Sequence, residues 1–262
     1  MKAIILAAGM GTRLGKYTMN LPKGMLQFNG KSLIERQVEV LRSCGINNIV
    51  IVKGYMPDKI KIKGVKYYEN KDYANTNMVE TLFAAEKEMD DGIIFCYSDI
   101  IYQKSVLETV IASKADDGVT VDVDYWDYWK ARLDDPQNDT ESLVIENGRI
   151  TELGDTNCGT EKSKVRYVGL IKFSKKGIKV LKKVYHENKE KFYDKNEPWL
   201  RSKSFKRAYM TCMLQAIINS GQKVEPIKIS RGWLEFDTEE DYEKYNGWLE
   251  EKSLKIFYLS DA

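Results

Sequence analysis

The chain has 262 residues, 43% of them hydrophobic and 31% charged, enough to bury one sizeable core in a globular α/β protein. Its 41 basic and 39 acidic side chains leave a formal charge of +2, which excludes a global field that would draw nucleic acid or an anionic membrane. Any anion site must therefore be local. Cys44, Cys96, Cys158 and Cys212 show neither a CxxC pair nor metal-ligand spacing, so reduced thiols of a cytoplasmic protein are expected rather than a disulfide framework.

The opening "MKAIILAAG" is a strand-length apolar run, too short and too soon broken by glycine for a signal peptide or a membrane span. "SLIERQVEVLRSCG" follows as an amphipathic helix, with Ser32 and Glu35 at capping-box spacing and Gly45 as a left-handed stop. "NIVIV" reads as a second strand, "VKYYEN" as part of a polar segment, "TNMVETLFAAEKEM" as a helix, and "GIIFCYSD" as an apolar strand ending on Ser98 and Asp99. This alternation predicts an α/β fold with a parallel, doubly wound sheet. Val106 to Ser113 look helical. Asn147-Gly148, between the short apolar runs of "SLVIENGRITEL", signals a hairpin. "VGLIKF" continues the strands, Lys175 to Lys189 form a charged helix carrying the single histidine, His186, and "AYMTCMLQAIINSG" forms a helix stopped by Gly221. "KVEPIKI" is a strand, and "WLEFDTEEDYEKYNGWLEE" gives a short strand, an aspartate at the turn and a helix capped by Thr238. No linker or repeat divides the chain, so one domain over residues 1–262 is the simplest account, with 1–120 as a nucleotide-binding half and 121–262 as an acceptor-binding half.

The stretch "LAAGMGTRLGKYTMNLPKGM" places glycines, an arginine and a Pro-Lys pair directly behind the first strand. In an open α/β sheet ligands bind beyond the carboxyl ends of the strands, and the first strand delivers Leu6, Ala7, Ala8, Gly9, Met10 and Gly11 to that edge. Gly9 and Gly11 allow a sharp turn and close approach of backbone N–H groups to phosphate oxygens. Beyond Thr12, Arg13 offers a planar fork for two such oxygens, and Lys23 adds a compact charge. The spacing is not that of a Walker A loop, and Leu14 stands where a dinucleotide fingerprint needs its third glycine. A triphosphate calls for a divalent cation such as Mg2+, which keeps much of its water shell and needs few carboxylates. Asp99, at the end of a strand, is well placed to hold one. Asp237, before the last helix, is the second candidate, although a plain turn or cap aspartate fits its context as well.

Together "LAAGMGTRLG", "PKGML", "GKSLIERQVEVLRSCGINNIVIVKGY", "SDIIY" and "LEFDTEEDY" resemble the sugar-phosphate nucleotidyltransferase superfamily, most closely its phosphocholine-cytidylyltransferase-like branch. "NTNMVETLF" and "DYWDYWKARLDDPQNDTESL" are similar also to the phosphoglutamine and phosphonate cytidylyltransferases. The resemblance implies a Rossmann-like, mixed but mostly parallel sheet with a small β-hairpin insertion for the acceptor. It implies that Leu6 through Arg13, Asn77 and Ser98 bind the nucleotide, that Arg13 and Lys23 neutralise phosphate charge, and that Asp99 and Asp237 hold Mg2+. CTP and a small phosphorylated or phosphonate acceptor would react with release of pyrophosphate, for decoration of a surface polysaccharide or lipid. A homodimer is compatible with it.

"VDYWDYWKARLDD" concentrates Tyr125, Trp126, Tyr128 and Trp129 with Asp124, Asp127 and Arg132. Aromatic faces and carboxylates can bind an ammonium headgroup, and Arg132 can grip a carboxylate or phosphate, so Tyr125, Trp126, Trp129 and Arg132 are the candidate acceptor residues. Core packing of Trp126 and Trp129 on a shared helix face is the competing reading. Trp199, Arg201, Arg207 and Trp233 are further wall candidates. Two rival functions remain: a sugar-1-phosphate nucleotidyltransferase making an NDP-sugar, and a non-catalytic nucleotide sensor.

Overall fold

The structure is a computed structural model and describes residues 1–258, the side chain of Asn138 excepted. The opening apolar run forms strand β1 (Lys2–Ala7). Its alternate side chains serve two cores: Ala3, Ile5 and Ala7 face one side of the sheet, Ile4 and Leu6 the other. A strand buried on both faces reads as continuous hydrophobicity, which is why the sequence shows no polar alternation there.

A small hairpin, β2 (Gln27–Phe28) and β3 (Lys31–Ser32), leads into α1 (Leu33–Ser43). The Ser32 hydroxyl accepts the Glu35 amide, and the Glu35 carboxylate accepts the Ser32 amide, completing the expected capping box. Next come β4 (Ile49–Lys53), β5 (Lys66–Glu69), α2 (Met78–Phe83) and β6 (Ile93–Tyr97). β7 (Ile100–Tyr102), α3 (Lys104–Ala112), β8 (Asp117–Asp122) and α4 (Tyr125–Arg132) follow. The helix expected from Thr76 onward is shorter than its pattern suggests and gives way to a 3-10 turn at Glu86–Glu88.

The Asn147-Gly148 signal becomes the hairpin of β9 (Leu143–Glu146) and β10 (Arg149–Leu153), with Asn147 at φ 50 and Gly148 at φ 73, the left-handed pair of a type I′ turn. β11 (Arg166–Phe173), α5 (Lys175–Phe192), α6 (Met210–Asn219), β12 (Glu225–Ile229), β13 (Trp233–Glu235) and α7 (Glu239–Glu250) complete the fold.

The main sheet has seven strands in the order β12-β8-β11-β6-β1-β4-β5. β1, β4, β5 and β6 run parallel, as do β8 and β12, while β11 is antiparallel to both β6 and β8. The sheet is thus mixed and mostly parallel. From β1 the chain builds outward through β4 and β5, then returns to place β6 on the other side of β1. That reversal opens a crevice at the carboxyl ends of β1 and β6. Among the described residues no helix is long and apolar enough to cross a membrane.

Candidate active site

At the end of β1 the backbone passes through Ala8 and Gly9 into a loop whose next anchor is Leu14, fully buried in the core. Gly11 adopts φ +66, and a Cβ there would lie 2.9 Å from Cβ of Lys23, so this position admits no side chain without displacing the lysine. Gly9 has no such restriction; a Cβ there would meet nothing within 4 Å, and the residue faces open space in the crevice. The turn that follows is clasped by α7: Lys16 Nζ lies 2.8 Å from Glu243, and the Tyr17 hydroxyl donates to the same carboxylate at 2.9 Å.

Lys23 sits at the focus of the crevice. Its ammonium donates to Asp99 Oδ2 at 2.7 Å and to Asp237 Oδ1 at 2.8 Å. Arg13 Nη1 lies 2.7 Å from the other oxygen of Asp237. Burial works against the charge on Lys23, but the two carboxylates outweigh it and raise its pKa above the ordinary lysine value. Burial raises Asp99, partly opposed by Lys23. Each aspartate is fixed by its backbone. Asp99 follows β6 and accepts the Phe236 amide on its carbonyl at 2.8 Å. Asp237 precedes α7, and its amide donates to Asp241 Oδ2 at 2.9 Å.

Asp99 Oδ1 is buried and has no hydrogen-bond partner among the described residues. No group of three His, Cys, Asp or Glu side chains gathers there as a closed metal cage among those residues. An orphaned carboxylate oxygen beside a second carboxylate is a donor set that fits magnesium, which takes few protein oxygens and fills the rest of its shell with water and phosphate.

Beside this centre lies a cavity of about 120 Å³ lined by Leu6, Ala8, Gly9, Asn77, Ser98 and Asp99 among others. Asn77 caps α2 with its own side chain, its Oδ1 accepting the Met78 amide at 2.9 Å. Ala7 turns instead into the core, and Met10, Thr12 and Arg13 stand exposed outside the cavity on the loop.

Residues 3–137 match the family model of the MobA-like NTP transferase domain. The chain is 34% identical to the CTP:phosphoglutamine cytidylyltransferase of Campylobacter jejuni subsp. jejuni serotype O:2, over 93% of this chain and 98% of that one. It is 41% identical to the choline-phosphate cytidylyltransferase of Streptococcus pneumoniae over 39% of this chain and 47% of that one. The solved CTP:phosphocholine cytidylyltransferase of Streptococcus pneumoniae superposes with a TM-score of 0.71 at 23% identity, covering 95% of this chain and 98% of that one. The chain belongs to the MobA-like NTP transferase domain family.

In this MobA-like chain a second cavity, about 510 Å³, opens beside the first and shares Met78 and Tyr97 with it. A volume of that order suits a small organic ligand. Its walls come from Glu141, the turn Gly154–Asn157, the β11 residues Arg166 to Gly169, and Arg201, Tyr209 and Glu235. Gly169, at φ +79, lets the Tyr97 ring lie across β11, since a Cβ there would meet that ring at 2.7 Å. The Tyr97 and Tyr167 hydroxyls are hydrogen-bonded at 2.8 Å.

The aromatic cluster expected to bind the acceptor is not part of this wall. Trp129 is fully buried, packed between the Arg132 and Arg166 guanidiniums and the ring of Trp233. Tyr125 is also buried, with its hydroxyl donating to the Ser163 carbonyl, and Trp126 is 37% exposed over a separate shallow hollow. The shared face expected for Trp126 and Trp129 is therefore split, because α4 rolls only one of them into the core. Arg132 is likewise buried, gripping both oxygens of Asp241 at 2.7 and 2.8 Å and Glu235 at 2.8 Å. Its place is beneath the site: Arg132 fixes Asp241, which fixes the Asp237 amide. Of the further wall candidates, Arg201 lines the cavity, Trp199 and Trp233 are core residues, and Arg207 is exposed, with its carbonyl accepting from the Asn77 side chain at 3.4 Å.

Sequence reasoning missed Glu141, Arg166 and Glu235. They lie on separate segments and carry no local motif; the only available signal was their charge beside or within otherwise apolar strands.

Proposed function

We propose that the protein is a CTP-dependent cytidylyltransferase that transfers CMP to a small phosphorylated or phosphonate headgroup and releases pyrophosphate. The observation that carries this reading is the convergence of Arg13, Lys23, Asp99 and Asp237 at a crevice beyond the carboxyl ends of β1 and β6, whose cavity adjoins a second, larger one. Kinship with the Campylobacter jejuni enzyme along nearly the whole of both chains supports the choice of cytidylyl transfer over NDP-sugar synthesis.

In the proposed reaction an acceptor phosphate or phosphonate oxygen forms a new bond to the α-phosphorus of CTP as the bond to the β-phosphate oxygen breaks. The electron pair leaves on pyrophosphate. The attacking oxygen is ionised at neutral pH, so the site needs no general base; His186, on α5, lies outside it, 2.8 Å from Glu86. Positioning and charge stabilisation then carry the rate. Lys23 and Arg13 supply fixed positive charge where negative charge accumulates. Leu6, Ala8 and Gly9 leave a backbone path for close approach, and Asn77 and Ser98 line the same cavity. A divalent cation held by Asp99 and Asp237 would supply Lewis-acid polarisation of phosphoryl oxygens.

Incubation with each of the four NTPs, a panel of phosphorylated and phosphonate headgroups and hexose 1-phosphates, followed by pyrophosphate release, tests the proposal. CTP with a headgroup should give the fastest turnover; faster turnover by UTP or dTTP with a sugar phosphate would reassign the enzyme.

A further inference from the structure

The larger cavity contains one carboxylate that makes no hydrogen bond and no close ion pair with any described residue. Of the acidic side chains on its wall, Glu235 is held by Arg132 at 2.8 Å, and Asp155 Oδ1 accepts the Asn157 amide at 3.0 Å within its own turn. Glu141 is half-buried and makes no hydrogen bond or ion pair with any described residue. Arg166 is the cation that acts on it most strongly, without an ion-pair contact: Nη1 donates to the Asp139 carbonyl at 2.9 Å, Nη2 lies 3.6 Å from Asp139 and 3.8 Å from Glu235, and the buried Nε has no hydrogen-bond partner among the described residues. Arg201 is turned toward the Leu153 carbonyl at 2.8 Å and toward Glu152.

A carboxylate partly withdrawn from water and lacking a hydrogen bond is costly unless a ligand completes it. Burial raises the Glu141 carboxyl above its usual range, with Arg166 acting in the opposite sense, so an arriving cation would relieve an existing penalty. We propose that Glu141 binds the protonated amine of the acceptor, and that the acceptor is a primary-ammonium compound rather than a quaternary one. This rests on the reading of the larger cavity as the acceptor site.

The cavity meets the crevice of Lys23 and Asp99 through Tyr97 and Met78, which suits the reacting phosphate; Glu141, on the wall of the same cavity, is available to the rest of the molecule. A quaternary ammonium is held chiefly by the faces of aromatic rings. Here the wall contains neither tryptophan nor phenylalanine, one face of Tyr97 is covered at Gly169, and the Tyr97 and Tyr167 hydroxyls are tied to each other, which leaves Tyr209, 48% exposed, as a single open ring rather than a cage. An ammonium bearing N–H groups can instead donate directly to the free carboxylate in a charge-assisted hydrogen bond.

Isothermal titration of the full chain with phosphoethanolamine, phosphocholine and propyl phosphate, with and without α,β-methylene-CTP, tests this. Propyl phosphate carries a methyl group in place of the ammonium. The unmodified protein should bind phosphoethanolamine about 10- to 100-fold more tightly than propyl phosphate, and more tightly than phosphocholine. Glu141→Gln, nearly identical in shape, should erase the preference over propyl phosphate while binding of the CTP analogue stays unchanged. Equal binding of phosphoethanolamine and propyl phosphate by the unmodified protein, tighter binding of phosphocholine, absence of binding by all three, or a preference that survives Glu141→Gln would each overturn the proposal. An amine preference without pyrophosphate release from CTP would uphold Glu141 and remove the cytidylyl-transfer reading; release from CTP without an amine preference would do the reverse.

Discussion

Asp99 and Asp237 face one another across a single ammonium group, that of Lys23, which hydrogen-bonds both at 2.7 and 2.8 Å. Without Lys23 the two carboxylates keep their backbone supports but lose their shared counter-charge. Lys23→Ala should therefore lower turnover by about 100-fold or more, as removal of a group that stabilises transition-state charge does. It should also leave a carboxylate pair more receptive to a divalent cation, so Mg2+ should raise the melting temperature of Lys23→Ala more than that of the unmodified protein. Parallel melts with and without Mg2+, together with pyrophosphate release, check both statements.

Chelation offers a complementary test of the same carboxylates. EDTA should abolish pyrophosphate release, and added Mg2+ should restore it. Asp99→Asn keeps the side-chain shape but replaces the orphaned anionic oxygen, so its activity should stay low at Mg2+ concentrations that saturate the unmodified enzyme. Full activity in EDTA would refute a role for a metal.

Gly11 and Lys23 are in contact through the space that a Cβ would fill. Gly11→Ala must pay for a left-handed φ of +66 and also displace Lys23 Cβ, which stands 2.9 Å from the new methyl position. A stability loss of about 1–2 kcal/mol, with a turnover defect resembling a mild form of Lys23→Ala, is the expected result. Gly9→Ala, which meets no neighbour within 4 Å, should fold normally and weaken nucleotide binding only by intruding on the crevice. Urea unfolding and nucleotide titration separate the two variants.

Arg132 and Trp126 test whether α4 holds the acceptor. Removing a guanidinium that is buried against Asp241 and Glu235 leaves uncompensated charge, so Arg132→Met should destabilise the fold by about 3–5 kcal/mol. Trp126→Ala, at a position 37% exposed and away from the cavity, should leave stability nearly unchanged and acceptor KM within about two-fold. A large rise in acceptor KM for Trp126→Ala, with normal melting, would return the acceptor to α4.

The glycine loop, its lysine and the two aspartates were legible in the sequence because each lies at the end of a strand or beside a turn, where local chemistry declares itself. β5 was hidden in a polar segment because it is an edge strand with Lys66, Tyr67 and Glu69 exposed. The larger cavity was illegible for a different reason. Glu141, Arg166, Arg201 and Glu235 meet only after β11 inserts antiparallel between β6 and β8, an event encoded in no short window. The cluster around Trp129 misled because aromatic and charged residues at helical spacing look the same whether they line a pocket or pack a core. In α4 the burial of Arg132 against Asp241 decides it, and that partner lies on α7.

Asp117 opens a pH test far from the catalytic residues. Its carboxylate is 1% exposed, wedged against Gly177 at the start of α5, where Oδ1 has no hydrogen-bond partner among the described residues and Oδ2 accepts from Gln222 at 2.7 Å. Burial lifts its pKa from 3.8 to about 6, and the Gln222 bond only partly resists. The folded chain therefore holds this proton more tightly than the unfolded chain does. Its contribution to stability is intact below about pH 4, declines as pH rises toward 6, and is fully lost above that. Asp117→Asn removes the titration while keeping an acceptor for Gln222, and the carbonyl of Asp116 lines the same space as the new amide. At pH 8 the variant should be more stable than the unmodified protein by about 2–3 kcal/mol, with the advantage fading as pH falls to 4. Urea unfolding at a series of pH values measures the difference; a gap that stays constant with pH would mean that Asp117 does not titrate in this window.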